Sequence, residues 1–180
     1  MLFNSSISGF YSVVLAILTF IACADTAETF QQNCYIDNTF TSSLKSGTQE
    51  NPFNQIEDCF DLLKSPSEQE PSHLHIYLAP TEQSYSFSQT TWKFDDSVVK
   101  GLLISAWENP QDSSPLLPTL DFGNTVLITE NVSSFTMKSL IVKAYDSNIE
   151  INNSTVTLTN LSFPFKNRAR VITVDECEKV

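Results

Sequence analysis

Carboxylates are the first candidates for chemistry in this 180-residue sequence. Hydrolysis of a glycosidic bond needs two carboxyl groups held close together with pKa values shifted in opposite directions. Asp95 and Asp96 are neighbours that would point to opposite faces of a strand, and Asp146 lies in a Tyr-Asp-Ser-Asn segment typical of a turn. The remaining candidates are Asp121, Asp175 and Glu176. We predict that all of these are solvated turn carboxylates and that none is catalytic.

Histidines and arginines offer two further kinds of site. A strand would place His73 and His75 on one side, a geometry that Zn²⁺ can use, but they are the only histidines and no third ligand is identifiable. A lyase would need acidic Ca²⁺ ligands and a basic proton acceptor. Arg168 and Arg170 share a strand face without an acidic trio nearby. We therefore expect no metal site and no cofactor.

Aromatic side chains could offer flat faces on which sugars stack. Aromatic residues in a strand-rich chain lie more often in the core, and the sequence leaves both interpretations open. The candidates are Tyr77, Tyr85, Trp92, Trp107 and Tyr145.

The composition excludes some classes of partner. Lys and Arg number 10 against 21 for Asp and Glu, which gives a formal net charge of −11. Binding to nucleic acid needs a cationic surface that displaces counterions from phosphate, and anionic membranes select for basic residues in the same way. We expect no nucleic-acid partner; glycans or other surface proteins remain as candidates.

The first 24 residues have the pattern of a signal peptide. They contain no charged side chain, and residues 13–24 form an apolar segment that ends in Ala22-Cys23-Ala24 before Asp25. This segment is short for a membrane span and ends in the small residues that a signal peptidase recognises. We predict a secreted protein. The alternative is a retained N-terminal anchor with the rest of the chain on the extracellular face, and only then is a membrane partner expected.

Glycosylation sequons and cysteines agree with an oxidising compartment. N-linked acceptors, in a eukaryotic source, would be Asn131, Asn152, Asn153 and Asn160. Cys34 and Cys59 are candidates for a disulfide near the start of the domain, although Cys59 could also be a buried thiol. Cys177 has no evident partner, so we expect it to pair with another chain or with residues that lie outside this 180-residue sequence.

The N-terminal part of the mature sequence contains the clearest helix signal. Residues 25–46 are a polar, turn-rich extension. Asn51 can cap a helix that has Pro52 at its first position and ends before Pro66. Its apolar face would consist of Phe53, Ile56, Cys59, Phe60 and Leu63.

After this helix the hydrophobic period changes to that of strands. Residues 73–78 alternate, with Leu74, Ile76 and Leu78 predicted to share one side. Shorter strands are predicted around Tyr85 and Phe87 and around Trp92 and Phe94. Residues 101–107 form a compact apolar segment, and a loop is predicted at 110–118. From Leu120 onward only strand signals occur.

A repeat links two of these strand segments. Residues 134–142 match residues 155–163 at a shift of 21, and the pairs that align are Phe135 with Val156, Met137 with Leu158, Leu140 with Leu161, Val142 with Phe163, Ile128 with Ile149 and Asn131 with Asn152. Short strands that repeat at this interval without a helix between them are typical of one turn of a parallel β-solenoid. Each turn has unpaired backbone groups at its strand edges, and the turns stacked above and below form hydrogen bonds with them. The scarcity of glycine disfavours a hairpin-rich β-sandwich.

A resemblance supports the same fold class. Residues 47–60 (GTQENPFNQIEDCF) resemble the segment that opens many right-handed β-helices of the pectin-lyase-like superfamily, and residues 153–163 are similar to their coils. This resemblance implies an all-β, right-handed parallel β-helix with an N-terminal capping helix. Its segments would be a signal peptide (1–24), an extension (25–46), a capping helix (47–66) and coils (67–180). Such proteins run for more coils, so we expect a truncated or fragmentary solenoid.

The sequence therefore predicts a secreted or cell-surface β-helix domain with a structural, adhesive or recognition role and no catalysis. Two alternatives stay open. One is a carbohydrate-active lyase or hydrolase whose active coils lie beyond this chain, and the other is a membrane-anchored ectodomain. Fold alone does not choose among them, because adhesins and polysaccharide enzymes share it.

Overall fold

The computed structural model describes residues 31–64, 73–108, 116–144, 148–164 and 172–175. Within these ranges the chain is mostly parallel β-sheet, so the all-β prediction is confirmed. The predicted leader (1–24), the arginines Arg168 and Arg170, and the residues Tyr145, Asp146, Glu176 and Cys177 lie outside the described residues. No helix among the described residues is long and apolar enough to span a membrane.

Eleven strands and one short helix make up the described structure. The strands are β1 (Gln31–Ile36), β2 (His73–Leu78), β3 (Tyr85–Ser86), β4 (Thr91–Asp95), β5 (Gly101–Ala106), β6 (Thr119–Asp121), β7 (Val126–Glu130), β8 (Ser134–Lys143), β9 (Ile149–Asn152), β10 (Val156–Ser162) and β11 (Ile172–Asp175), and the helix is α1 (Ile56–Asp61), followed by a 3₁₀ turn (Leu62–Lys64).

All of these strands pair in parallel, in two sheets. In the first sheet the order is β1-β2-β5-β8-β6-β3, and β10 lies along β8. In the second sheet the order is β11-β9-β7-β4. Strand β8 is long enough to pair with β5 through its first half and with β6 through its second half. Neighbouring parallel strands need a crossover connection between them. Here the chain forms other elements of the fold before it returns to the same sheet.

Alternating side chains build the core. Leu74, Ile76 and Leu78 are fully buried on one side of β2, as the alternation predicts. The register then stacks buried residues of successive strands directly over one another: Ile76 faces Cys34 on one side and Ile104 on the other, and Ile104 faces Met137. We call the series Cys34, Ile76, Ile104, Met137 and Leu158 the apolar column.

The predicted repeat is correct in one sheet and off by one residue in the other. In β8 and β10 the register pairs Phe135 with Val156, Met137 with Leu158 and Leu140 with Leu161, which confirms the shift of 21. In β7 and β9, however, Ile149 pairs with Leu127, so the predicted alignment of Ile128 with Ile149 is wrong. A one-residue slip moves a side chain to the opposite face of a sheet, and Leu127 is the buried residue.

The helix is shorter than its sequence pattern indicates. It begins at Ile56 with Gln55 at the N-cap position, and no side chain caps it. Asn51 and Pro52 are therefore not its first residues, and the long capping helix predicted for 47–66 is not seen. Phe53 instead forms a parallel bridge with Ile36, because its backbone is extended against β1.

Strand β1 lies inside the segment that we predicted to be a polar extension (25–46). Cys34 and Ile36 alternate with polar residues and are both fully buried, but two apolar positions in a polar segment are too few to predict a strand. The disulfide between Cys34 and Cys59 is confirmed, with a Cα–Cα distance of 5.9 Å. It ties β1 to α1 across 25 residues of chain.

Candidate functional site

An aromatic cluster occupies the outer face of the first sheet. Tyr35 on β1 and His75 and Tyr77 on β2 alternate with buried residues, so they point away from the core. Trp107, directly after β5, joins them. We call these four residues the aromatic surface. All four are partly exposed, which distinguishes them from the aromatic residues of the core.

The rings of the aromatic surface contact one another closely. Tyr35 and Tyr77 stack with centroids 5.0 Å apart, and Trp107 meets Tyr35 edge-on at 5.2 Å. His75 lies edge-on to Tyr77, and its Nδ1 is 3.5 Å from the Tyr77 hydroxyl. Such offset and edge-to-face pairs are favourable beyond the area they bury, so the cluster has a defined shape.

The parallel register brings these rings together. Tyr35 and Tyr77 are direct Cα partners of neighbouring strands. The Trp107 backbone N–H donates to the Leu78 carbonyl at 2.7 Å, which continues the pairing of β5 with β2 for one more residue. Residues far apart in the chain thus form one surface because parallel strands place equivalent positions side by side.

Burial shifts the pKa of two polar groups of this surface in the direction that favours their uncharged forms. Burial, and secondarily Tyr35, raises the pKa of the Tyr77 phenol. Burial, and secondarily His73, lowers the pKa of the His75 imidazole. Desolvation disfavours the charged form of both groups, so they offer neutral hydrogen-bonding atoms beside the aromatic faces.

An ion pair lies next to the surface. Lys138 Nζ is 3.0 Å from Glu108 Oε1, and Glu108 follows Trp107 directly in the chain. Lys138 is the Cα partner of Ser105, which in turn is the partner of Tyr77. The cation nearest to the rings in this register is therefore neutralised by a carboxylate, although both side chains are well exposed.

The structure separates the aromatic candidates that the sequence left open. Trp92 and Tyr85 are buried in the core, at 5% and 2% exposed. Tyr77 and Trp107 belong to the aromatic surface. Tyr35 was not among the sequence candidates. Its position between the apolar residues Cys34 and Ile36 is the alternation signal that could have identified it.

The carboxylates that the sequence singled out, where they fall within the described residues, lie in turns or at strand ends. Asp95 Oδ1 accepts hydrogen bonds from the Ser97 backbone and hydroxyl, and chiefly the hydroxyl lowers the pKa of Asp95. Asp121 Oδ1 accepts from the Gly123 N–H at 3.0 Å, again within a turn. Asp96 lies in the turn after β4, and Asp175 is at the end of β11. Asp95 and Asp121 thus serve their own local backbone, as expected of aspartate in turns.

His73 has a packing role. A Cβ at Gly101 would lie 2.8 Å from His73 Nε2 and 2.8 Å from Ser134 Oγ, so the imidazole occupies space that only glycine leaves open. Among the described residues, no group of three metal-ligating side chains comes together.

Three sequon asparagines lie at two corners of the fold: Asn131 and Asn153 directly follow β7 and β9, and Asn160 lies at a bend within β10. Asn131, Asn153 and Asn160 are exposed and have positive φ angles of 57°, 46° and 52°. Asn153 Nδ2 donates to Asn131 Oδ1 at 2.7 Å, so these two side chains stack at one corner. Asn160 Nδ2 donates to Ser139 Oγ at 3.2 Å at the other corner. Asn152, by contrast, is the half-buried last residue of β9.

Comparison of the chain with protein-family models, curated proteins and solved structures gave no match. The candidate site therefore rests on the geometry of the described residues alone.

Proposed function

We propose that this chain is an extracellular or cell-surface recognition domain, built as a right-handed parallel β-helix, which binds glycans through its aromatic surface without cleaving them. The parallel register supports this fold, because equivalent positions of successive strands lie directly over one another in both sheets. The leader-like first segment and the Cys34–Cys59 disulfide support an oxidising compartment outside the cytosol.

The observation that carries the proposal is the set of partly exposed rings on the outer face. A soluble protein gains stability by burying large aromatic side chains, so a cluster left at the surface indicates a place where another molecule binds. The C–H faces of pyranose rings are apolar and pack on aromatic rings by dispersion. The Tyr77 hydroxyl and the His75 nitrogens then provide hydrogen bonds for sugar hydroxyls.

The charge around the aromatic surface favours neutral sugars over acidic ones. Lys138, the nearest cation in register, is already paired with Glu108. The chain carries a net charge of −11, which repels polyanionic polysaccharides at a distance. We therefore expect neutral hexose polymers to bind in preference to uronic-acid polymers.

A binding experiment on the full secreted chain tests the proposal. Titration calorimetry against neutral and uronic-acid oligosaccharides should detect tighter binding to the neutral set. The Trp107→Ala substitution should weaken that binding by about 10- to 100-fold, since tryptophan is among the residue types that dominate binding at interfaces. Leu44→Ala removes an exposed apolar side chain elsewhere (73% exposed) and serves as the matched control.

Three outcomes would contradict the proposal. The first is an absence of binding to every neutral oligosaccharide. The second is an equal effect of the Trp107→Ala and Leu44→Ala substitutions. The third is release of shortened oligosaccharides during the titration, which would show an enzyme instead of a binding domain.

A further inference from the structure

The aromatic surface contains a group that titrates near neutral pH. His73 and His75 are the only histidines in the sequence, and both lie on the outer face of β2, where they flank the buried Leu74. His75 belongs to the aromatic surface, whereas the His73 imidazole packs over Gly101 of the neighbouring strand. A histidine within a binding surface can make binding depend on pH, because its charge changes between about pH 5 and about pH 8.

The strands on either side of β2 place no charged side chain opposite His75. Its direct Cα partners are Asn33 on β1 and Leu103 on β5, and Thr136 on β8 follows Leu103 in the same row. Strand β5 carries no titratable side chain. The other titratable groups on the outer faces of β1 and β2 are two phenols and one imidazole, namely Tyr35, Tyr77 and His73.

The charged side chains next to the aromatic surface are paired with each other. Lys138 lies in the row of Tyr77, and its Nζ is 3.0 Å from Glu108 Oε1. Within the described residues no carboxylate contributes to the pKa shift of His75. An imidazolium at this position therefore lacks the anionic partner that usually stabilises a partly buried positive charge.

Burial already disfavours the charged form of His75. Burial, and secondarily His73, lowers the pKa of His75 from its ordinary value. A neutral ligand that covers the ring removes more water from it and supplies no charge, so it lowers this pKa further. A ligand that lowers a pKa binds the deprotonated form more tightly, and each pKa unit weakens binding by up to about tenfold at more acidic pH.

Protonation also changes the hydrogen bonds that the surface offers. His75 Nδ1 lies 3.5 Å from the Tyr77 hydroxyl. A neutral imidazole has one accepting nitrogen, whereas both nitrogens of an imidazolium donate. The protonated surface thus loses an acceptor for sugar hydroxyls.

We propose that the aromatic surface binds neutral glycans more tightly while His75 is uncharged, so that acidification weakens their binding. This inference rests on the glycan-binding function proposed above and adds the regulation of the same site. Affinity is full above the ordinary pKa of histidine, about 6.5, and falls as the pH decreases through the lowered pKa of His75.

Titration calorimetry of the full secreted chain at two pH values tests this dependence, with neutral oligosaccharides of glucose, mannose and galactose as probes. The oligosaccharides that bind at about pH 8 should bind about three- to tenfold more weakly at about pH 5.5, where carboxylates are still ionised. At about pH 6 binding should release protons, so the measured heat should change with the ionisation enthalpy of the buffer.

Two matched variants assign the dependence to one histidine. The His75→Gln side chain is uncharged at both pH values. This variant should bind more weakly than the wild type at about pH 8, but its affinity should be the same at about pH 5.5. His73→Gln removes the other histidine of the same strand face and should keep the pH dependence of the wild type.

The outcomes separate this inference from the function on which it rests. If none of the oligosaccharides binds at either pH, the glycan-binding function fails, and the inference fails with it. Affinity that is equal at the two pH values or higher at acidic pH would overturn the pH dependence alone. Proton uptake on binding would do the same, as would a His75→Gln variant that loses as much affinity at acidic pH as the wild type.

Discussion

The two ends of the apolar column, at β1 and at β10, differ in what covers them. At the β1 end, Cys34 is bonded to Cys59 of α1, and the outer edge of β1 is occupied by Gly47 and Phe53. At the β10 end, Leu158 is 41% exposed. The middle of the column is made by repetition, because each strand covers the one before it. The β1 end of the column is covered by elements that do not repeat, namely a loop, a short helix and a disulfide.

The closed end also contains a cluster of aromatic rings, of which Phe60, Trp92 and Phe94 are buried and Phe87 is partly buried. Phe60 of α1 lies 4.7 Å from Trp92 and 4.8 Å from Phe94, measured between ring centroids, and it stacks on Phe87 at 6.4 Å. Glu57, only 6% exposed, accepts a hydrogen bond from the Ser88 N–H. Helix α1 therefore contributes to stability through what it packs against, since a helix of six residues has little stability of its own.

Truncation of one phenylalanine at each end gives the largest expected contrast. Phe60→Ala should lower the free energy of unfolding by about 3–5 kcal/mol, because it leaves a cavity among buried rings. Phe163→Ala should lower it by less than about 1 kcal/mol, because that side chain is already 42% exposed. Denaturant unfolding of both variants measures the difference. Similar losses would show that the two ends are equally packed.

Removal of the disulfide should have the next largest effect. The double variant Cys34→Ala/Cys59→Ala should lose about 2–4 kcal/mol, since the bridge restricts the unfolded chain across 25 residues. A thermal melt of the wild type with reductant should approach that of the variant. Reductant should not lower the melting temperature of the variant any further; if it does, another bridge contributes to stability.

Alkaline pH should weaken the closed end through Tyr85. Burial raises the pKa of the Tyr85 phenol to about 12, and its hydroxyl donates to the Ala79 carbonyl at 2.8 Å. The unfolded chain ionises near pH 10 while folded Tyr85 stays protonated, so stability falls as the pH rises from about 10 to about 12. The loss attributable to this residue should be about 2 kcal/mol.

Tyr85→Phe separates this effect from general alkaline denaturation. The variant should be about 1 kcal/mol less stable at neutral pH, because it lacks the hydrogen bond, but its stability should decline less steeply above pH 10. Unfolding curves at several alkaline pH values measure both quantities. An unchanged slope above pH 10 would show that other groups cause the decline.

The parts of the fold that could be predicted are those specified by nearby residues. Alternation in 73–78 predicts β2 and its buried side, and the match of 134–142 to 155–163 predicts the register of β8 with β10. Both signals are local or self-similar. The start of the helix could not be predicted in this way. In the sequence, Phe53 continues the apolar face of the helix, but in the structure its backbone is extended because it forms a bridge with Ile36 of β1.

In the candidate site too, some features follow from nearby residues in the sequence and others depend on neighbouring strands. The strand period of residues 73–78 is enough to place Tyr77 on the face opposite the buried residues of β2. Whether an outward ring lies in solvent, in a cluster or under another element depends on the strands beside it, which the period does not identify. Only the tertiary structure brings Tyr35 and Trp107 together with Tyr77.

The sequence by itself thus determined the identity of β2, its inward face and the pairing of β8 with β10, because side-chain period and self-similarity are properties of short segments. The tertiary structure decided the extent of α1, the inclusion of β1 in the sheet, the register of β7 with β9 and the aromatic surface. Each of these depends on which backbone edge lies alongside, and hydrogen bonds between distant strands cannot be inferred from the pattern of either strand alone.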